Sequence, residues 1–320
     1  FSEFTTVLNE TSSFLSCLSV AGTKLNEKKA KNLMLFLSYT NTLTEIDISR
    51  TSLKPSLVAQ IITSIIGNKE INKFSIHLNS LNLNKLNLSK VIKAFESDPM
   101  SRLRIWTAIS LEDNGMNGDD LRQLLPVLTQ MVNLKELNIG MNFDSNSSSI
   151  ETLLPNFLTF QSLEKLSLRG NKFHSLGYNK LQNLFISIAD RQGTPLTLDI
   201  RNNDIGDEGL RDIGELARND KFFELQVDGS TPETIKELKE FFSNVSKSKT
   251  TAVLDFPIKD AEKLITSVGS SSSKLQKAAL NLSEFGVKMN VRLEKNMTDY
   301  GIHSRWTFRN PIPEIEQIVN

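Results

Sequence analysis

Seven cationic side chains recur where one surface could gather them: Arg50, Lys73, His77, Lys135, Lys165, Arg169 and Arg201. Clustered cations of this kind focus positive potential and suit an anionic headgroup or an acidic peptide. They are interleaved with Glu45, Asp47, Glu112, Asp113, Glu136, Glu164, Asp199 and Asp228. A solvated face of mixed charge, with its cations and anions paired in rungs, is therefore the competing expectation. Catalytic chemistry has less to stand on. His77, His174 and His303 are scattered, with no His-x-x-x-His and no His–Cys pair at ligand spacing, so no metal site is expected. Cys17 stands between Leu15 and Leu18 and reads as a surface or half-buried thiol rather than a nucleophile. There is no Gly-x-x-x-x-Gly-Lys-Ser/Thr phosphate loop and no Gly-x-Ser-x-Gly. No cofactor and no enzymatic activity are expected.

The elements that would bring those cations together come from an internal repeat. Its clearest copy is Leu163-x-x-Leu166-x-Leu168-x-x-Asn171, preceded by Leu134/Leu137/Ile139/Asn142 and Trp106/Ile109/Leu111/Asn114. Pro195/Leu198/Ile200/Asn203 and Phe222/Leu225/Val227/Ser230 follow it. Earlier copies read Leu15/Leu18/Val20/Thr23, Leu43/Ile46/Ile48/Thr51 and Ile71/Phe74/Ile76/Asn79, and a degenerate last one reads Thr250/Val253/Asp255/Ile258. The steps between ninth positions are 28, 28, 35, 28, 29, 32, 27 and 28 residues. The last two apolar positions alternate as in a short strand with one buried face. The Asn would bury its amide in the turn and hydrogen-bond backbone groups of adjacent coils. Thr and Ser at that position keep a donor but shorten its reach.

A period of 28 leaves room for a helix in each copy. After Asn114 an acidic first turn, Asp119-Asp120, leads into Leu121, Leu124, Leu125 and Leu128; after Asn203, Asp207-Glu208 leads into Leu210, Ile213, Leu216 and Ala217. The two longer steps contain Leu81–Leu88 and Asp190–Pro195, either as loops on a binding face or as a longer helix with an extended return. The repeat predicts an array over 1–260 of about nine units near 28 residues. Beyond it, Leu275 to Leu293 recur at helical spacing and predict a capping helix within 261–320, with Trp306, Phe308 and Ile312 packing behind it. A dimerisation surface is the competing role, and capping is favoured over it because the apolar edge of a terminal repeat must be covered.

Composition narrows the partners. Lys+Arg and Asp+Glu are equal at 37 each in 320 residues, so the strongly basic balance of a nucleic-acid binder is absent and none is expected. One cysteine fits a reducing compartment, and no apolar run is long enough to span a bilayer. The missing initiator Met predicts a chain that begins inside a longer protein. The Asn-x-Ser/Thr triplets, such as Asn87-Leu88-Ser89, are read as unglycosylated.

The 28-residue unit resembles leucine-rich repeats of the ribonuclease-inhibitor type. That resemblance implies an α/β horseshoe solenoid with a parallel concave sheet, outer helices and a C-terminal cap, which presents the cations on its concave face. A narrower likeness rests on Phe256-Pro257-Ile258-Lys259-Asp260-Ala261 followed by the helix near Lys274, which is similar to the close of the repeat array in the CARMIL family of actin capping protein, actin nucleator and myosin-I linkers. It implies a cytoplasmic scaffold in actin regulation at the plasma membrane, with a protein partner and a phosphoinositide contact. No capping-protein motif and no Pro-rich tail are present, so capping-protein inhibition does not carry over. The alternative is a GTPase-activating protein of the Ran-regulator repeat type; Arg305 and Arg309 in place of an acidic tail count against it.

Overall fold

The structure, a computed structural model, describes residues 14–97, 102–143, 156, 160–173, 178–192, 194–203, 205–228, 241, 244–245, 247–257, 287–292 and 305–307. The chain packs as two compact units, Phe1–Asn171 with Gln192–Thr194, and Lys172–Arg191 with Pro195–Asn320. In the first, strands β1 (Cys17–Ser19), β2 (Glu45–Asp47), β3 (Phe74–His77), β4 (Trp106–Ser110), β5 (Glu136–Asn138) and β6 (Lys165–Ser167) pair in chain order, all parallel. Helices α1 (Glu27–Tyr39), α2 (Pro55–Gly67), α3 (Leu86–Phe95) and α4 (Gly118–Leu128) connect them. The second unit holds α5 (Tyr178–Asp190), β7 (Leu196–Asp199), α6 (Gly206–Arg218), β8 (Phe222–Asp228), β9 (Thr251–Pro257), β10 (Val287–Arg292) and β11 (Arg305–Thr307). There β7 to β10 are parallel and β11 is antiparallel to β10. This is the leucine-rich-repeat architecture: a parallel sheet on one side, helices on the other.

One buried residue marks each coil. Leu18, Ile46, Ile76, Ile109, Leu137 and Leu166 stand opposite one another in register, as Leu198, Leu225 and Ala252 do in the second unit. All nine are buried, and the helices add Phe36, Ile61, Ile65, Phe95 and Leu124 to the same core. Trp106, fully buried, meets Phe95 and Phe74 edge-on at 5.2 and 6.0 Å. Burial of side chains this size contributes roughly 1.5–3 kcal/mol each, which neither layer could gain alone.

The expected asparagine ladder is present. Asn142 is buried; its Oδ1 accepts from the backbone of Asn114 and Met116, and its Nδ2 donates to the carbonyls of Leu111, Ile139 and Gly140. Asn171 repeats this toward Asn142 and Phe143, and Asn114 toward Leu81 and Leu83. Thr23 and Thr51 make a shorter connection, each hydroxyl donating only three residues back in its own coil, to Val20 and Ile48. The residue before each ladder position takes a left-handed backbone: Gly22, Arg50, Ser80, Asp113, Met141, Gly170 and Asn202 all have φ between 52° and 72°. Coils also approach closely here, since a Cβ on Gly140 would lie 2.8 Å from the carbonyl oxygen of Arg169.

Three expectations are corrected. The third coil is framed on Ile76, Leu78 and Leu81 rather than Phe74, Ile76 and Asn79: Ile76 pairs with Ile46, and the left-handed residue is Ser80. A two-residue slip keeps every side chain on its face, so the apolar pattern allows both frames. Leu81 therefore fills a ladder position, and Asn79 sits half-buried in the turn after β3, accepting from Ser110 Oγ and the Glu112 amide. In the ninth coil Ala252 and Leu254, not Val253 and Asp255, align with Leu225 and Val227. The capping helix is absent over Val287–Arg292, which form a strand parallel to β9; apolar Val287, Met289 and Val291 alternate with Lys288, Asn290 and Arg292 at period two. The remainder of that expected helix lies outside the described residues.

The helix starts follow the acidic pattern. Asn117 and Asp120 form a reciprocal capping box on α4, and Asp207 and Glu208 occupy the first turn of α6. Asp120, almost fully buried, also accepts from the amide of Lys85 at 2.7 Å, tying the longer third return to the fourth helix.

The ladder sets a stability contrast. Asn142→Ala strands buried backbone groups of two coils and should cost about 3–5 kcal/mol, whereas Thr51→Val breaks one bond and should cost about 1 kcal/mol. Denaturant unfolding of both variants checks this; equal losses would remove the ladder's role.

Candidate functional site

On the face of the first unit's sheet turned away from the helices, two rows of side chains flank the buried residue of each strand. One row runs Cys17, Glu45, Ser75, Ala108, Glu136 and Lys165; the other runs Ser19, Asp47, His77, Ser110, Asn138 and Ser167. They exist because strand side chains alternate, so whatever is not core is presented at the spacing of neighbouring strands. Across β1 to β5 these rows carry Glu45, Asp47 and Glu136 and no Lys or Arg.

The seven cations occupy several environments. Lys135 Nζ lies 2.7 Å from Glu164 Oε1, and Lys165 Nζ lies 3.3 Å from Glu136 Oε2, a reciprocal exchange between two adjacent coils. His77 Nε2 is 3.4 Å from Glu45 Oε1, one strand away. Arg50 is exposed at a left-handed turn, and Lys73 is exposed just ahead of β3. Arg169 is half-buried, and its buried Nε makes no hydrogen bond among the described residues. Arg201 belongs to the second unit. It is only 5% exposed and grips Asp199 through Nε to Oδ1 at 2.8 Å and Nη2 to Oδ2 at 2.6 Å. The structure thus brings Lys135 and Lys165 together and gives each a carboxylate; it leaves Arg50 and Lys73 apart from them. His174 and His303 lie outside the described residues.

Uncharged polar residues were missed in the search for charge. Ser49 Oγ accepts from the Asn79 amide, Ser75 and Thr107 hydroxyls meet at 3.2 Å, and Asn138 Nδ2 donates to Glu112 Oε2. Their signal in the sequence was positional only: each stands one or three residues from a buried apolar position. Such a face offers many donors and acceptors at strand spacing, suited to a polar polypeptide surface.

The nearest approach to a nucleophile has the wrong order of partners. Cys17, exposed on β1, neighbours Glu45, with His77 on the far side of that carboxylate. Desolvation and then the Glu45 carboxylate push the Cys17 thiol above its ordinary pKa, which suppresses the thiolate. A catalytic pair would need the imidazole against the sulfur. Among the described residues no cluster of His, Cys, Asp and Glu could hold a metal ion.

Removing the carboxylate should release the thiol. Glu45→Gln is expected to speed iodoacetamide alkylation of Cys17 in folded protein at neutral pH, because the thiol pKa falls toward its ordinary value. An unchanged rate would separate Cys17 from Glu45.

No family model and no curated protein matches the chain. Among solved structures it is similar to the leucine-rich repeat-containing protein LegL7 from Legionella pneumophila, at 17% identity and a TM-score of 0.55, over 89% of this chain and 86% of that one. At that identity the likeness speaks to the fold, and it agrees with the coil-by-coil register: the chain has the leucine-rich-repeat fold.

Proposed function

We propose that the chain is a non-enzymatic scaffold that binds a protein partner across the open face of its parallel sheet. The observation that carries this reading is the pair of polar rows from β1 to β6, rich in Ser and carboxylates. Most of these hydrogen-bonding groups are at least partly exposed and recur at strand spacing, Ser110 being the buried exception. Repeat surfaces of this kind gain affinity by adding modest contacts over length. The resemblance of Phe256–Ala261 to the CARMIL family supports a partner among actin regulators and a cytoplasmic site of action near the cell cortex. The strand at Val287–Arg292 departs from the helical close that resemblance implies.

A phosphoinositide headgroup held by cations of the first unit, Lys135, Lys165 and Arg169 among them, is the second reading, Arg201 of the second unit being folded onto Asp199. Arg169, with its Nε unengaged, supports it; the carboxylates on Lys135, Lys165 and Arg201 weigh against it. A headgroup would have to displace those carboxylates before gaining anything itself.

Affinity capture from cell lysate with mass spectrometry tests the scaffold. Cytoskeletal regulators should be retained by the native chain and lost with Glu45→Arg/Ser167→Arg, which blocks the open face without touching the core. Recovery of nuclear-transport factors alone would end the actin assignment, and acceleration of a GTPase would overturn the non-enzymatic one.

A further inference from the structure

The charge of this chain, zero in sum, is segregated on the helix side of the first unit. Helices α1, α2 and α3 contain five lysines, Lys28, Lys29, Lys31, Lys90 and Lys93, against a single acidic residue, Glu27, and no arginine. Glu27 is already engaged by Lys31 at 2.8 Å. Exposed Lys24 and Lys54 flank the start of α1 and α2. On the next helix, α4, Asp119 is paired with Arg122 and Asp120 is buried, so the run of lysines stops after three consecutive coils.

Geometry makes these residues one surface. The three helices lie side by side, each packing on the next. Lys28, Lys31 and Leu35 follow one another at three- and four-residue steps on the exposed side of α1, ending at Tyr39. Leu86, Lys90 and Lys93 do the same on α3. Between them α2 presents Ser56, Gln60 and Thr63, which are exposed and uncharged. Three large apolar side chains stand out of this basic layer: Leu86 is 82% exposed, Leu35 59% and Tyr39 44%. Tyr39 meets the buried Phe36 edge-on at 6.0 Å, while Leu35 and Leu86 are the two exposed leucines of this layer.

We infer that the helix face of α1 to α3 docks on the anionic surface of a lipid bilayer. The chemistry separates this occupant from two others. Protein interfaces are enriched in Arg and depleted in Lys, the reverse of what these helices carry. Nucleic acid would answer the lysines but leave Leu35 and Leu86 in water. A bilayer answers both: lysines gain from the negative surface potential, by roughly five-fold in partition for each. Leu and Tyr projecting among them can enter the boundary between headgroups and acyl chains. The cations on the sheet side take no part, so this contact is separate from the protein-binding face and leaves it open.

Sedimentation of the full chain with vesicles tests the inference, comparing pure phosphatidylcholine with equal parts phosphatidylcholine and phosphatidylserine. The native chain should partition onto the mixed vesicles only. Lys28→Gln/Lys90→Gln/Lys93→Gln, which spares the Lys31 already paired with Glu27, should weaken this about a hundred-fold. Leu35→Ser/Leu86→Ser should weaken it about ten-fold with the lysines intact. Circular dichroism and the thermal midpoint verify that both variants fold, since every altered side chain is exposed. Lys165→Ala/Arg169→Ala should partition like the native chain. Full binding by the lysine variant would overturn the inference, as would loss in the sheet-face variant. So would polyuridylate or polyglutamate binding that matches the vesicles and ignores the leucine variant.

Discussion

Stacked coils bury the turns by which each strand leaves the sheet, and those turns are full of backbone amides and carbonyls that no ladder of strands can pair. This is the constraint on which the rest of the structure depends. An unpaired buried amide costs about as much as several favourable contacts return. Asn is the side chain that solves the problem from one position, because its amide carries donors and an acceptor at once. Asn114, Asn142 and Asn171 each accept from amides of the coil before and donate to carbonyls of that coil and of their own. A second polar seam does the same work where helices return to strands. Asn68 donates to the carbonyls of Leu37 and Thr40, and Arg102 spreads its guanidinium over those of Ile66, Asn68 and Ile71. With these carbonyls paired, the layer between the seams is built almost entirely from apolar side chains, and Trp106 Nε1 is a buried polar atom within it that makes no hydrogen bond among the described residues.

How far the sequence could be read follows from what each seam requires. Coils with Asn in the turn were legible residue by residue, since Asn, two apolar positions at period two and a helix all agree. The third coil was misframed because Phe74, Ile76 and Leu78 supply three alternating apolar residues, so two frames satisfy the sheet equally. Only backbone conformation breaks that tie: Ser80 is the left-handed residue, a feature no residue type announces when Arg, Asp, Met and Asn occupy the equivalent positions. The ninth coil lost its signal when Ala252 replaced a large apolar residue. The final strand pair was hidden by overlapping periods, since Val287, Met289 and Val291 fit an alternating strand and also extend a helical series begun upstream.

The candidate face was legible in position but not in balance. Spacing alone placed Lys135 and Lys165 on the sheet, while the carboxylates that answer them depend on the parallel register, which pairs Glu136 with Lys165 directly. Arg201 looked like an available cation and is instead folded onto Asp199, two residues away on the same side of the strand. Charge type could be counted from the sequence; partnership required coordinates. The two faces of the first unit have consequently diverged. One is polar and acidic along the strands, the other lysine-bearing and partly apolar along the helices.

Leu81 marks a boundary within the array. Because it occupies a ladder position without a polar side chain, and Thr51 reaches only its own coil, the asparagine chain begins at Asn114 and does not extend to the first two coils. Cooperativity in a repeat protein is carried by such nearest-neighbour links. The asparagine links therefore run from the third coil onward, where Asn114 reaches Leu78, Leu81 and Leu83, and the first two coils are joined by other groups, the Ser49 hydroxyl to the Asn79 amide and Asn68 to Leu37 and Thr40. The leading coils are thus held by hydroxyls and the helix-end seam, and the later ones by amides buried in the turns, so one array uses two kinds of fastening.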